Sequence, residues 1–326
     1  MATPPPPGIY VPVPTFFAGK KAANYDPACA PLDVETQVAH ALYLARAGIK
    51  GLVILGSTGE AVHLTNKERS EVLSGVRRAL DEAGFVEYPI LAGTATQSIE
   101  ETVEQLKAAK EAGSGWGMCL APGYFAGANT QEGLVRWFTA VADKSPIPIL
   151  IYHYPGVSNN VKISTSTFVT LARHANIVGC KLSHGDISAL TQIACNPAID
   201  HEGFRTFTGL GQQLLPVMTV GGAGAIDGCA GFFPKTVVRL YELSKPTDDE
   251  VLLAERRRLQ FKISSAEELV ARFGTVGIKE AVSRLRGFGD RDGTRLPLHG
   301  GIPGGDAEWA NWKGIMDSVQ EEEDRL

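Results

Sequence analysis

"ANIVGCKLSHGD", residues 175–186, places one lysine, Lys181, near the end of the apolar run Ile177-Val178-Gly179-Cys180-Lys181-Leu182. A run this short and nearly continuous in hydrophobicity reads as a parallel strand covered on both faces. An ammonium group on such a strand is costly unless it is paired, deprotonated or used. Seven further runs have the same character: 8–17, 51–55, 88–93, 116–121, 147–152, 204–209 and 223–228. Amphipathic segments lie between them, such as those at 33–48, 66–84 and 98–113, each closing on the Ala-Gly that commonly stops a helix. Eight strand-like runs alternating with helices point to an α/β chain folded as a (β/α)₈ TIM barrel. A doubly wound sheet is the second choice, disfavoured because no GxGxxG follows the first run.

The strand pattern stops near residue 240. Segments 248–274, 275–289 and 306–326 are helical in character, and a Gly/Pro-rich loop occupies 291–305. The expected organisation is a barrel over 1–240 that carries the site, followed by a helical region over 241–326. The acidic end "QEEEDRL" reads as solvated.

Composition narrows the function. The 326 residues carry 31 Lys and Arg against 36 Asp and Glu, a net charge of −5, with 44% hydrophobic residues. A large core is available, and nothing in the balance favours nucleic acid or an anionic membrane as partner. No apolar run is long enough to span a bilayer. Cys29, Cys119, Cys180, Cys195 and Cys229 show no metal-ligand spacing. They fit reduced thiols, and the N-terminus lacks the basic character of a leader, so the cytosol is the expected location.

Chemistry in a barrel of this type gathers where the strands end. Lys181 ends the sixth run, Tyr152 the fifth, Tyr124 follows the fourth, and Gly56-Ser57-Thr58-Gly59-Glu60 follows the second. Desolvation lowers a lysine's pKa and yields an amine able to attack a ketone. The structural alternative pairs Lys181 with Glu60 or Asp186. Lys279, in "VGIKEAV", is its one partial rival among the lysines. The glycine–hydroxyl turn suits a carboxylate, and Thr65 to Glu68 fits a capping box for the next helix. Tyr152 can relay protons through Ser57 or Thr58, or simply pack. His184 and Asp186 are a metal-ligand pair on one reading, and a turn with Asp186 as N-cap on the favoured one.

Taken in order, "GSTGE", "YHYPG" and "GCK" resemble motifs of the dihydrodipicolinate synthase / N-acetylneuraminate lyase family of class I pyruvate aldolases. The resemblance covers the chain from about residue 8 to the C-terminal helices. It implies Lys181 as Schiff-base lysine, Tyr152 as relay phenol, Ser57 as relay hydroxyl and Thr58 as carboxylate-binding hydroxyl. It makes Tyr124 a second catalytic tyrosine, which in the family reaches a neighbouring subunit's site, and sets the Ile226 backbone against bound pyruvate. Gly59, Gly209 and Gln212 complete the expected substrate-binding set, with Gln212, Asp227 and His184 as specificity contacts. The resemblance implies no metal and no cofactor, a small 2-oxo acid as ligand, and a homo-oligomer, tetramer or dimer.

Two departures bear on the substrate. Where synthases of the family hold an arginine, this chain has Val157; losing that partner costs about 1.5–3 kcal/mol. Where N-acetylneuraminate lyases carry an acidic pair, it has Gly211-Gln212. The branch it resembles most cleaves 2-keto-3-deoxy sugar acids, such as 2-keto-3-deoxy-L-galactonate, to pyruvate and an aldehyde such as glyceraldehyde. 4-Hydroxy-2-oxoglutarate cleavage is the near alternative. A metal-dependent aldolase and a non-catalytic binding barrel are the other two classes to test.

Overall fold

A computed structural model describes residues 2–326. Its eight strands are β1 (Gly8–Pro12), β2 (Gly51–Ile54), β3 (Ile90–Thr94), β4 (Trp116–Leu120), β5 (Ile149–His153), β6 (Ile177–Leu182), β7 (Arg205–Thr208) and β8 (Gly224–Ile226). Six lie within the apolar runs, and β3 and β5 each extend one residue beyond theirs, to Thr94 and His153. All neighbours pair in parallel and in sequence order, and Gly8 opposite Gly224 closes the sheet into a barrel.

The crossover helices are α1 (Val34–Arg46), α2 (Asn66–Glu82), α3 (Ile99–Glu111), α4 (Gln131–Lys144), α5 (Thr165–Leu171), α6 (Ile187–Ala194), α7 (Leu214–Thr219) and α8 (Pro234–Glu242). Their starts follow from local chemistry, because side-chain oxygens satisfy N–H groups that have no partner inside the helix. Asp33, Ser98 and Asp186 cap α1, α3 and α6, and Thr65 with Glu68 forms the expected capping box on α2. Gly48, Gly84 and Gly113 follow α1, α2 and α3 with φ of 88°, 87° and 87°, a left-handed turn that glycine makes without strain.

The barrel interior is filled by Tyr10, Val53, Leu91, Met118, Leu150 and Phe207 among others, while a larger apolar layer joins strands to helices. Ile149 of β5 aligns with Ile177 of β6, but Leu150 aligns with Gly179, so β6 holds one extra residue. That bulge resets the in–out alternation. Val178 packs in the interior, Cys180 and Leu182 pack in the outer layer, and Lys181 between them turns to the barrel's inside.

The helical region consists of α9 (Glu250–Arg286) and α10 (Gly305–Arg325). Helix α9 is broken at Gly274, whose φ of 55° and ψ of −137° are non-helical. One expectation is corrected here: the acidic end is not simply solvated. Glu322 and Glu323 are 5% and 3% exposed. Glu323 accepts from the N–H groups of Lys235 and Thr236 at the start of α8, and Glu322 pairs with Arg258, Lys262 and Arg325. The unsatisfied N–H groups at the start of α8 draw Glu323 inward, and the cations of α9 with Arg325 hold Glu322.

Candidate active site

A cavity of about 440 Å³ opens at the C-terminal ends of the strands. The expected specificity contacts Asp227 and His184 are not among its lining residues, whereas Lys181, Tyr152, Ser57, Thr58, Gly209, Gln212 and Ile226 all line it, so the fold brings together seven of the nine residues of the expected catalytic and substrate-binding set. The other two lie elsewhere. Gly59 sits behind the β2 turn, where a Cβ would meet Leu55 N and Val13 O at 3.1 Å. Tyr124 lies on the loop after β4, 75% exposed, its ring 4.9 Å from that of Phe125 and outside the cavity wall.

Lys181 is 4% exposed, and its Nζ lies 4.5 Å from the centroid of the Tyr152 ring. Neither proposed structural partner engages it. Glu60 is taken by Lys279, and Asp186 caps α6 while its own N–H donates to His184 Nδ1. Burial lowers the Lys181 pKa to about 7, against a smaller upward pull from the Asp227 charge. Gly209 is required beside it, since a Cβ there would stand 2.9 Å from Lys181 Cε and collide with the Ser183 hydroxyl.

Tyr152 aligns with Lys181 across β5 and β6, which fixes both side chains on rigid, paired backbone. Its hydroxyl lies 3.0 Å from Ser57 Oγ. Burial pushes the phenol above its ordinary pKa, opposed by the Ser57 hydrogen bond, so it holds its proton at neutral pH. His153, the next residue along β5, faces outward as alternation requires and accepts the N–H of Ile163.

The turn carrying Ser57 and Thr58 is under strain. Leu55 and Glu60, neither of them glycine, hold φ of 66° and 51° on either side of it. Such conformations cost about 1–3 kcal/mol each and persist where surrounding structure enforces them. The enforcement is visible: Glu60 binds Lys279, His63 Nδ1 and the Arg295 N–H, and Thr15 Oγ1 donates to Gly59 O. Thr275, next to the break in α9, donates from Oγ1 to Ser57 O.

Several lining residues were not singled out from the sequence. Ser183 stands two residues beyond Lys181, and Glu267, Val270, Phe273 and Thr275 come from α9, so the helical region closes one side of the mouth. Glu267 carried a readable signal. It falls on the apolar stripe of α9 between Ile263 and Val270, at the four- and three-residue spacing of one helix face. Burial and the Asp227 charge hold its carboxyl well above the usual range.

Comparison with known proteins bears on the family and the fold. Residues 29–300 match the model of the Dihydrodipicolinate synthetase family. A protein of Emericella nidulans named "Probable 4-hydroxy-2-oxoglutarate aldolase, mitochondrial" is 38% identical over 285 residues, 87% of each chain. The L-threo-3-deoxy-hexylosonate aldolase of Hypocrea jecorina is 36% identical over 290 residues, 87% of this chain and 88% of that one. Among solved structures, a dihydrodipicolinate synthase family protein from Coccidioides immitis superposes with a TM-score of 0.82 at 30% identity, covering 99% and 98% of the two chains.

Proposed function

The chain belongs to the dihydrodipicolinate synthetase family, and from that premise we propose that it is a class I aldolase. Its substrate on this reading is a 2-keto-3-deoxy sugar acid of the L-threo-hexulosonate type. The observation that carries the reading is Lys181, buried without an anionic partner in contact and 4.5 Å from the Tyr152 ring, whose hydroxyl meets Ser57.

The neutral Lys181 amine attacks the C2 ketone, and the Tyr152 phenol gives its proton to the departing hydroxyl, so that water leaves and an iminium and a phenolate remain. The Thr58 hydroxyl and the turn's N–H groups hold the substrate carboxylate. The C4 hydroxyl passes its proton to the Tyr152–Ser57 relay, the C3–C4 bond breaks, and its electron pair moves into the iminium. The products of this step are an aldehyde, glyceraldehyde for a hexulosonate, and an enamine. Protonation at C3 and addition of water to the regenerated iminium release pyruvate and free Lys181. The raised phenol pKa suits a group that takes one proton as it gives another.

4-Hydroxy-2-oxoglutarate is the second reading, supported by the name of the Emericella nidulans relative. A homo-oligomer, dimer or tetramer, is supported by the exposed Tyr124 and Phe125, 75% and 71% accessible, which suit a partner's surface. In that assembly Tyr124 would act in the neighbouring site. The cytosol is our first choice of compartment; no helix among the described residues is long and apolar enough to cross a membrane. Some relatives are named as mitochondrial, and a fluorescent fusion distinguishes the two locations.

The test is incubation with pyruvate, reduction with borohydride, and peptide mass spectrometry. A pyruvyl mass on Lys181 is expected. No adduct on a folded protein would move metal-dependent and purely binding functions to the front.

A further inference from the structure

Glu267 presents an unusual state for a carboxyl group. It is 1% exposed, it lines the cavity, and its Oε1 is enclosed without a hydrogen-bond partner. Its neighbour is a second carboxyl, Asp227. Both crowd the space left by Gly211, where a Cβ would lie 2.8 Å from Glu267 Oε1 and 3.0 Å from Asp227 Oδ2. Asp227 already accepts the N–H groups of Cys229 and Ala230. Two adjacent buried carboxyls cannot both ionise, and no cation acts on Glu267. Glu267 is therefore the member that keeps a proton, shared with Asp227 beside it.

A second orphan lies on the same wall. Gln212 Oε1 is enclosed, lines the cavity and has no partner. A buried acceptor left unpaired is costly, so two such groups on one cavity wall are arranged for a ligand's donors. Their position fits the far half of the substrate. Lys181 Cε abuts Gly209 and Glu267 abuts Gly211, and two residues span at most about 7 Å, the reach of a short carbon chain. The basic side chains lining the cavity among the described residues are Lys181 and His63, and His63 is bound to Glu60. A carboxylate on the aldehyde half would find no free cation among the lining residues and would meet the Asp227 charge beside Glu267.

We propose that Glu267, with Gln212, reads the hydroxyl groups of the aldehyde half and so selects an uncharged, hydroxylated carbon chain over one ending in a carboxylate. This proposal rests on the aldolase reading and assigns specificity to α9, outside the barrel proper.

The test holds the pyruvate half constant and varies the aldehyde. Condensation of pyruvate with glyceraldehyde, with propanal and with glyoxylate is measured for wild type, Glu267→Leu, Glu267→Gln and Gln212→Leu, alongside borohydride trapping of pyruvate. Wild type should prefer glyceraldehyde to both others by at least tenfold in kcat/KM. In Glu267→Leu and Gln212→Leu the glyceraldehyde-to-propanal ratio should fall about tenfold or more, while Glu267→Gln, which keeps a donor and an acceptor, should hold it within about threefold. Should Glu267→Leu not fold, Gln212→Leu and the three wild-type aldehydes still decide the matter. A wild-type preference for glyoxylate, or ratios unmoved by either leucine, would overturn the proposal while pyruvate trapping leaves the aldolase reading intact. No adduct on wild-type Lys181 would overturn both.

Discussion

Glu60 and Lys279 form a buried ion pair across 219 residues of sequence, Oε1 to Nζ at 2.5 Å, with side chains 1% and 3% exposed. It ties the strained turn after β2 to α9 and leaves Lys181 as the unpaired lysine of the cavity. Removing one partner strands the other charge, which costs about 3–5 kcal/mol at fully enclosed sites. Lys279→Met should therefore lose at least about 3 kcal/mol in denaturant unfolding and raise the pyruvate KM through the loosened turn. A loss below about 1 kcal/mol would mean that His63 and Arg295 satisfy Glu60 unaided.

Tyr152→Phe removes the relay hydroxyl and keeps the ring beside Lys181. Positioned proton transfer contributes about 10²- to 10⁴-fold. Turnover should fall within that range while borohydride still traps pyruvate on Lys181. Ser57→Ala should act in the same direction; full turnover in both variants would remove the relay from the mechanism.

The amine must be neutral to attack. With Lys181 at about pKa 7, kcat/KM should rise with pH along an acid limb centred near 7. Asp227 holds that value up, so Asp227→Asn should move the limb to lower pH. Movement to higher pH would contradict the electrostatic assignment.

The same depressed pKa has a stability consequence. Between about 7 and the ordinary 10.5 the unfolded chain binds a proton at Lys181 that the folded protein lacks. Stability therefore rises with pH across this window, and the penalty is complete below it. Lys181→Met should melt above wild type, with the gap widest below pH 7 and closing by pH 10.5. A gap independent of pH would point to packing rather than charge.

Val157 lines the mouth and is 44% exposed. Val157→Arg should supply a charged donor to a carboxylated aldehyde half. The kcat/KM ratio of 4-hydroxy-2-oxoglutarate to the sugar acid should rise about tenfold, the worth of one charge-assisted hydrogen bond. An unchanged ratio would mean that position 157 does not face the substrate.

The strands, the capped helix starts and the glycine stops were legible in the sequence because each depends on a few adjacent residues. Hydrophobic runs, Thr65 and Asp186 as caps, and Gly48 after α1 obey local physics. Lys181 was legible for the same reason, as a charge inside an apolar run. The tertiary structure alone decided what those residues meet. The extra residue in β6 resets which side chains face inward, and that follows from pairing with β5 rather than from any pattern within β6. Lys279 finds Glu60, Glu323 finds the start of α8, and Glu267 arrives beside Asp227, each across 40 or more positions of sequence. Periodicity reports which face of an element is buried, but the partner of a buried charge is set by chain closure, where its desolvation must be offset by whatever the fold brings within reach.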